Sequence, residues 1–147
     1  MGILLVRHSD AVEGGGGIDD AARWLSAPGR ARAHGAAQLL RGKGLSFERF
    51  VSSPRMRAVQ TAEIYAQALG FRGVVEALPE LSFSEPAADA ARALAEIDGN
   101  IAAFGHMPTI AEIIQLLAKE RRARPLVTSE AVWIEDGKVK FRLEPEP

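Results

Sequence analysis

The opening of the chain constrains the fold more than any other stretch: Gly2-Ile-Leu-Leu-Val6 carries no polar side chain and breaks directly into Arg7-His8. Five apolar or small residues have the length and branching of a strand buried on both faces, as in a mainly parallel sheet covered by helices. Such a strand delivers a guanidinium and an imidazole to its carboxyl end, the place where open α/β sheets bind ligands. Arg7 and His8 are therefore the first site candidates.

Ile101–Phe104 repeats the pattern, a short apolar run stopped by Gly105-His106, after which Pro108 opens a helix with Ile110, Ile113, Ile114 and Leu117 on one face. Between these two strands the punctuation predicts further alternation. Gly14–Gly17 reads as a flexible linker, since it lacks the spacing of a phosphate-binding P-loop. Ser26, with Pro28 two residues on, caps a helix that ends at Gly42 and Gly44. Phe50–Ser52 is a short strand leading through Ser53-Pro54 into a helix with Ala58, Ala62, Tyr65 and Leu69 on one face. Val74–Ala77 is a strand, Ser84 starts a helix through Leu94, and Asp136-Gly137 joins the last two strands as an edge hairpin. Glu144–Pro147 reads as a frayed tail, and His34 as an exposed or half-packed helix residue.

Arg55 and Arg57 fall in the first turn of the helix after Pro54, where a basic side chain opposes the helix dipole. A bound anion would reconcile them with that position, because the free N–H groups of a helix start and an Arg fork both attract phosphate. If the strands ending in His8 and His106 lie close in one sheet, two imidazoles share a crevice with Arg7 and Arg57. One imidazole is then a nucleophile towards phosphorus and the other helps hold the equatorial oxygens, and no metal is needed if Arg and protonated His supply the charge. The plainer alternative is that each His is a loop or core residue at a strand end.

Composition excludes several other classes. With 147 residues and 47% hydrophobic content the chain fits one domain spanning residues 1–147. The 18 basic and 19 acidic residues nearly cancel, so neither a nucleic-acid surface nor an anionic-membrane anchor is indicated. Cysteine is absent and the three histidines include no His-x-x-x-His pair, which argues against disulfides and zinc. No signal peptide precedes the first strand and no apolar stretch approaches the length of a membrane span, so a cytoplasmic chain is expected.

Taken together, Leu5-Val-Arg-His-Ser-Asp-Ala11, Ser53-Pro-Arg-Met-Arg-Ala-Val-Gln-Thr61, Leu78-Pro-Glu-Leu81 and Gly105-His-Met-Pro108 resemble the histidine phosphatase, or phosphoglycerate-mutase-like, superfamily. Within it the chain is most similar to the small SixA-type phosphohistidine phosphatases, whose pattern is also met by Leu25–Gly29 and Thr128–Ala131. The resemblance implies a three-layer α/β/α fold and a phosphohistidine intermediate on His8. Arg7, Arg57 and His106 would complete the catalytic pocket, with Ser9 and Gly105 beside the bound phosphate and no cofactor. Glu80 lies where many members of the family carry an acid, and Asp10 is its rival.

The family opening is Arg-His-Gly, whereas this chain has Ser9, whose side chain would either crowd the phosphate or donate a hydrogen bond to it. The segment Leu81–Ile101 has room for about one helix, given ~10–14 residues per average helix, so the crevice is expected to be uncapped. The function the resemblance implies is removal of phosphate from phosphohistidine on a partner protein, which an uncapped crevice could admit. The alternatives are a small-molecule phosphomonoesterase and a phosphate-binding regulatory module disabled by Ser9.

Overall fold

The computed structural model describes residues 1–146. Its six strands are β1 (Gly2–Arg7), β2 (Arg49–Ser52), β3 (Val75–Ala77), β4 (Ile101–Gly105), β5 (Ala131–Glu135) and β6 (Lys138–Leu143), in the sheet order β3-β2-β4-β1-β5-β6. The pairs β1–β4, β2–β4 and β2–β3 are parallel, while β5 runs antiparallel to both β1 and β6. The hairpin therefore closes one edge, as its Asp136-Gly137 turn predicts: both residues have positive φ, at 53° and 69°.

Period-2 alternation along the strands builds two cores. Leu4 and Val6 of β1, Phe50 of β2, Phe104 of β4 and Trp133 of β5 face α1 (Ala27–Arg41) and α2 (Met56–Leu69). Leu5, Val51, Ala103 and Val132 face the other way, against α3 (Ala87–Ala95) and α4 (Thr109–Ala118). This is the expected α/β/α sandwich, and it explains why β1 and β4 carry uninterrupted apolar runs: both of their faces are covered. The helix after β1 packs on one face and the helix after β4 on the other. Their carboxyl ends lie side by side, with Arg7 in register with Gly105. A crevice opens where neighbouring connections diverge in this way.

The local signals act as expected at α1, where the Ser26 hydroxyl accepts from the Gly29 amide at 3.1 Å. They mislead at two helix starts. α3 begins at Ala87 rather than Ser84, because Ser82–Glu85 closes a turn of its own, with the Glu85 amide on the Ser82 carbonyl at 3.0 Å. In α2 the first turn contains Arg57 alone, since Arg55 is the extended N-cap residue.

The chain end also departs from expectation. Pro145 is buried, and the Arg32 guanidinium donates to the Glu146 carbonyl at 3.5 Å, so the described part of the tail is packed on α1 rather than frayed. The end of the expected tail, Pro147, lies outside the described residues. No described helix is long and apolar enough to cross a membrane.

Candidate active site

Three strand ends meet in the crevice. The His8 amide donates to the Gly105 carbonyl at 2.9 Å and the Ser53 amide to the Phe104 carbonyl at 2.9 Å, so the residues that follow β1 and β2 are each hydrogen-bonded to the end of β4. The His8 and His106 rings stand 5.1 Å apart between centroids, tilted by 57°. Arg57 reaches the same crevice from the first turn of α2 and Arg7 from the last residue of β1.

His8 has a defined tautomer. Its Nδ1 lies 2.6 Å from the Ser9 carbonyl, which only accepts, so Nδ1 carries the proton and Nε2 keeps its lone pair. Burial is the main reason its pKa is pushed down to about 4, opposed by the Ser9 hydrogen bond and reinforced by Arg57, Arg7 and Arg23. His106, only 2% exposed, is pushed down to about 3 by burial, with His8 and Arg57 adding to the effect. Both imidazoles are thus uncharged near neutrality. Burial and the nearby arginines disfavour a further cation, so before an anion binds the positive charge of the crevice rests on arginine.

The positive charge comes from arginine. Arg7 donates to the Leu126 carbonyl at 2.7 Å, and its Nε is buried without a partner. Arg57, 4% exposed, donates to the Asp20 carbonyl at 2.9 Å and to the Asp20 carboxylate at 3.4 Å, and its Nε is likewise unpartnered. His106 Nε2 is 2.7 Å from the Ser53 hydroxyl, while its Nδ1 is buried with no partner. Buried polar nitrogens left unpaired are costly, so two guanidinium nitrogens and an imidazole nitrogen orphaned around one crevice describe a site built for an anion.

The remaining sequence candidates sit differently. Ser9 is fully buried, and its hydroxyl donates to the Gly29 carbonyl of α1 at 2.7 Å, so it neither crowds an anion nor donates to one. Gly105 serves through its carbonyl, which holds the His8 amide; a Cβ there would approach Ile110 and the Leu81 carbonyl to 3.3 Å. Glu80 lies in a single 3-10 turn, Pro79–Leu81, partly exposed and with no side-chain hydrogen bond among the described residues. Asp10 accepts from the Thr128 hydroxyl at 2.9 Å and lies 3.9 Å from Arg32, which makes it a clasp between loops. His34 is exposed, as expected. Gly14–Gly17 is an exposed loop, as read from the sequence, with positive φ at Gly15, Gly16 and Gly17.

Three participants are not legible locally. Asp20, in a 3-10 turn over Asp20–Ala22, bonds Arg23, Arg55 and Arg57. The Ser53 hydroxyl meets His106 between the ends of the adjacent strands β2 and β4. Thr61 accepts from the Ser9 amide at 3.0 Å and donates to the Arg57 carbonyl at 2.8 Å, joining the nucleophile candidate's neighbour to the start of α2. The only advance signal is at Ser53 and Thr61, which bracket the Arg57 segment. A separate groove of about 480 Å3 lies between α1 and the chain end; Asp10 and Arg32 line it, and neither imidazole does.

Arginines and imidazoles thus gather at the strand ends of an α/β/α sheet, an arrangement suited to a phosphoryl group. A model of the histidine phosphatase superfamily (branch 1) matches residues 3–89. An uncharacterised protein of Picosynechococcus sp. is 34% identical over 124 residues, covering 80% of this chain and 73% of that protein. The chain belongs to the histidine phosphatase superfamily. In fold it superposes on the protein histidine phosphatase SixA in its tungstate complex with a TM-score of 0.89, at 23% identity and covering 99% of this chain and 97% of that one. A mutant phosphoserine phosphatase of Entamoeba histolytica bound to phosphoserine gives a TM-score of 0.70 at 14% identity, covering 97% and 96%.

Proposed function

We propose that this single-domain chain removes phosphate from phosphohistidine on a partner protein, through a covalent phosphohistidine intermediate on His8. The observation that carries the reading is the 2.6 Å contact between His8 Nδ1 and the Ser9 carbonyl, which leaves Nε2 unprotonated in the field of Arg57 and Arg7. His8 Nε2 forms a bond to phosphorus as the N–P bond of the substrate breaks. The leaving imidazole keeps the electron pair, and departs as a neutral molecule when its other nitrogen already bears a proton. Water then attacks phospho-His8, releasing phosphate and restoring the imidazole.

Arg7 and Arg57 neutralise the equatorial oxygens, their unpartnered Nε groups being donors with nothing else to bond, and no metal ion takes part in the step. With the Ser53 hydroxyl donating to Nε2 of His106, the proton of that ring sits on the unpartnered Nδ1, which donates to the phosphoryl group. Glu80 supplies a proton only where the leaving group needs one; Asp10 is engaged by Thr128 and Arg32. A protein substrate is supported by the shortness of the connection between Leu81 and Ile101, which contains a single nine-residue helix.

The test is phosphate release from a phosphohistidine-bearing protein by the purified chain, run beside His8→Ala and beside a generic phosphomonoester. Release that needs His8, greatly exceeds the ester rate and passes through an acid-labile phosphoenzyme is the expected result. Equal turnover of sugar phosphates overturns the protein substrate, and ordinary activity in His8→Ala overturns the nucleophile.

A further inference from the structure

The crevice grades from a buried floor to an exposed rim, and the rim carries its own charge. At the floor are His106 and Arg57, 2% and 4% exposed. At the rim are Phe83, 42% exposed, and the Asp20 carboxylate, 47% exposed. Phe83 stands edge-on to His106 with 5.5 Å between centroids, and the Arg55 guanidinium lies 4.3 Å over the centre of the Phe83 ring. A leaving group on a phosphoryl held beside His106 comes next to the Phe83 ring.

The cations at the rim already share one anion, although the Nε of Arg55 has no partner. Asp20 receives Arg55 at 2.5 Å, Arg23 at 3.2 Å and Arg57 at 3.4 Å. Arg55 is further occupied by the Phe83 ring, and Arg23 donates through Nε to the Val12 carbonyl at 2.8 Å. Although some desolvation acts against it, the hydrogen bond from Arg23 and the charges of Arg57 and Arg55 hold the Asp20 carboxyl below its ordinary value, so it is an anion at all working pH. Asp20 is also the one residue of the stretch 13–22 that bonds the main body of the described chain beyond Arg23, which fixes the carboxylate where it stands.

We infer that Asp20 is a specificity-determining residue: its carboxylate, seated on Arg55 at the rim, rejects phosphoryl donors whose departing group is anionic and admits those whose departing group is neutral or cationic. The inference rests on the reading of the crevice as a phosphoryl site. An incoming carboxylate or second phosphate must compete with Asp20 for the rim arginines and meets its exposed like charge beside them, so it binds less well than it would to arginines left free. A phosphorylated imidazole, which carries no second negative charge, meets no such barrier and has the Phe83 ring beside it.

The experiment compares two ligands that are not hydrolysed, phenylphosphonate and 4-carboxyphenylphosphonate, by calorimetry against the intact chain. The wild type is expected to prefer the uncarboxylated ligand by about tenfold, the scale of one like-charge contact at a partly solvated site. In Asp20→Asn, which is nearly isosteric and alters an exposed group, the preference should fall to about twofold or reverse as Arg55 becomes free to pair. Asp20→Glu, which restores the charge, should keep it. Equal binding of both ligands by the wild type, an unchanged ratio in Asp20→Asn, or no binding of phenylphosphonate at all overturns the inference. Because neither ligand turns over, discrimination without release of phosphate from phosphohistidine would overturn the catalytic reading and leave this one standing.

Discussion

The Ser9 hydroxyl donates to the Gly29 carbonyl at 2.7 Å, while the Ser9 amide donates to the Thr61 hydroxyl at 3.0 Å. One residue thereby joins the turn after β1 to both α1 and α2. It does so directly beside His8, whose ring in turn bonds the Ser9 carbonyl. All three polar groups of Ser9 are used to hold the imidazole's backbone in place, and none faces the crevice.

Replacing Ser9 with glycine therefore removes a buried clasp and opens no space for phosphate. A lost buried hydrogen bond costs about 1 kcal/mol and the added backbone freedom of glycine a further ~0.5–1 kcal/mol. Ser9→Gly is expected to lower the unfolding free energy in urea by about 1–2 kcal/mol, on those two terms, with no gain in kcat. A several-fold rise in kcat would mean that the side chain obstructs the substrate.

Arg57→Lys keeps the charge and loses the fork. The native guanidinium spans two Asp20 acceptors and still has a free Nε, an arrangement that a single ammonium cannot reproduce. Charge-assisted hydrogen bonds of this type contribute about 1.5–3 kcal/mol, so kcat/KM for a phosphohistidine protein should fall about 10- to 100-fold. Steady-state kinetics within twofold of wild type would remove Arg57 from the transition state.

Acid should act on the two imidazoles in a defined order. In the folded chain His8 titrates near 4 and His106 near 3, both below the ordinary histidine value of 6.5, because burial disfavours the cation. Above 6.5 neither folded nor unfolded chain is protonated at these positions, so they contribute no pH dependence. As pH falls from there towards 4, the unfolded chain binds protons that the native chain does not, and the native state loses stability. Urea denaturation across this range should show stability decreasing with acid, less steeply in His8→Asn. The acid limb of kcat/KM should lie near 4, as the free enzyme needs His8 neutral. A limb at 6.5 would place the His8 ring in water.

Most of the scaffold is readable from local pattern, because the elements around the site announce themselves over a few residues. β1 and β4 are apolar runs cut short by Arg7-His8 and Gly105-His106, α1 has Ser26 as its cap, and the hairpin has Asp136-Gly137. What local pattern misses has a different cause. Asp20 meets Arg55 from 35 positions away and Ser53 meets His106 from 53, and nothing in the surrounding residues of either encodes the encounter. Ser9 misleads for the same reason: its departure from glycine is visible in the sequence, but the acceptor that makes sense of it lies on α1, 20 residues on. The buried Pro145 is a further instance, since a proline between glutamates reads as solvent-facing until α1 is placed beneath it.

Gly29 tests how closely α1 must approach the turn that carries His8. In a helix interior Gly→Ala ordinarily stabilises by up to ~1 kcal/mol, through lower backbone entropy in the unfolded chain. At Gly29 an added Cβ would lie 1.9 Å from the Asp10 carbonyl oxygen, a backbone atom that also accepts the Ser26 amide at 3.0 Å and so cannot swing aside. α1 would have to move off the turn, breaking the Ser9–Gly29 bond and loosening His8. Gly29→Ala should therefore destabilise by about 1–3 kcal/mol, the range for overpacking, and reduce kcat. Gly35, further along the same helix, supplies the control: a methyl group there would meet nothing within 4 Å, so Gly35→Ala should be neutral or stabilising by up to ~1 kcal/mol with kcat unchanged. If the two substitutions have the same sign in urea denaturation, the close approach of α1 to Asp10 is not what holds the turn that carries His8.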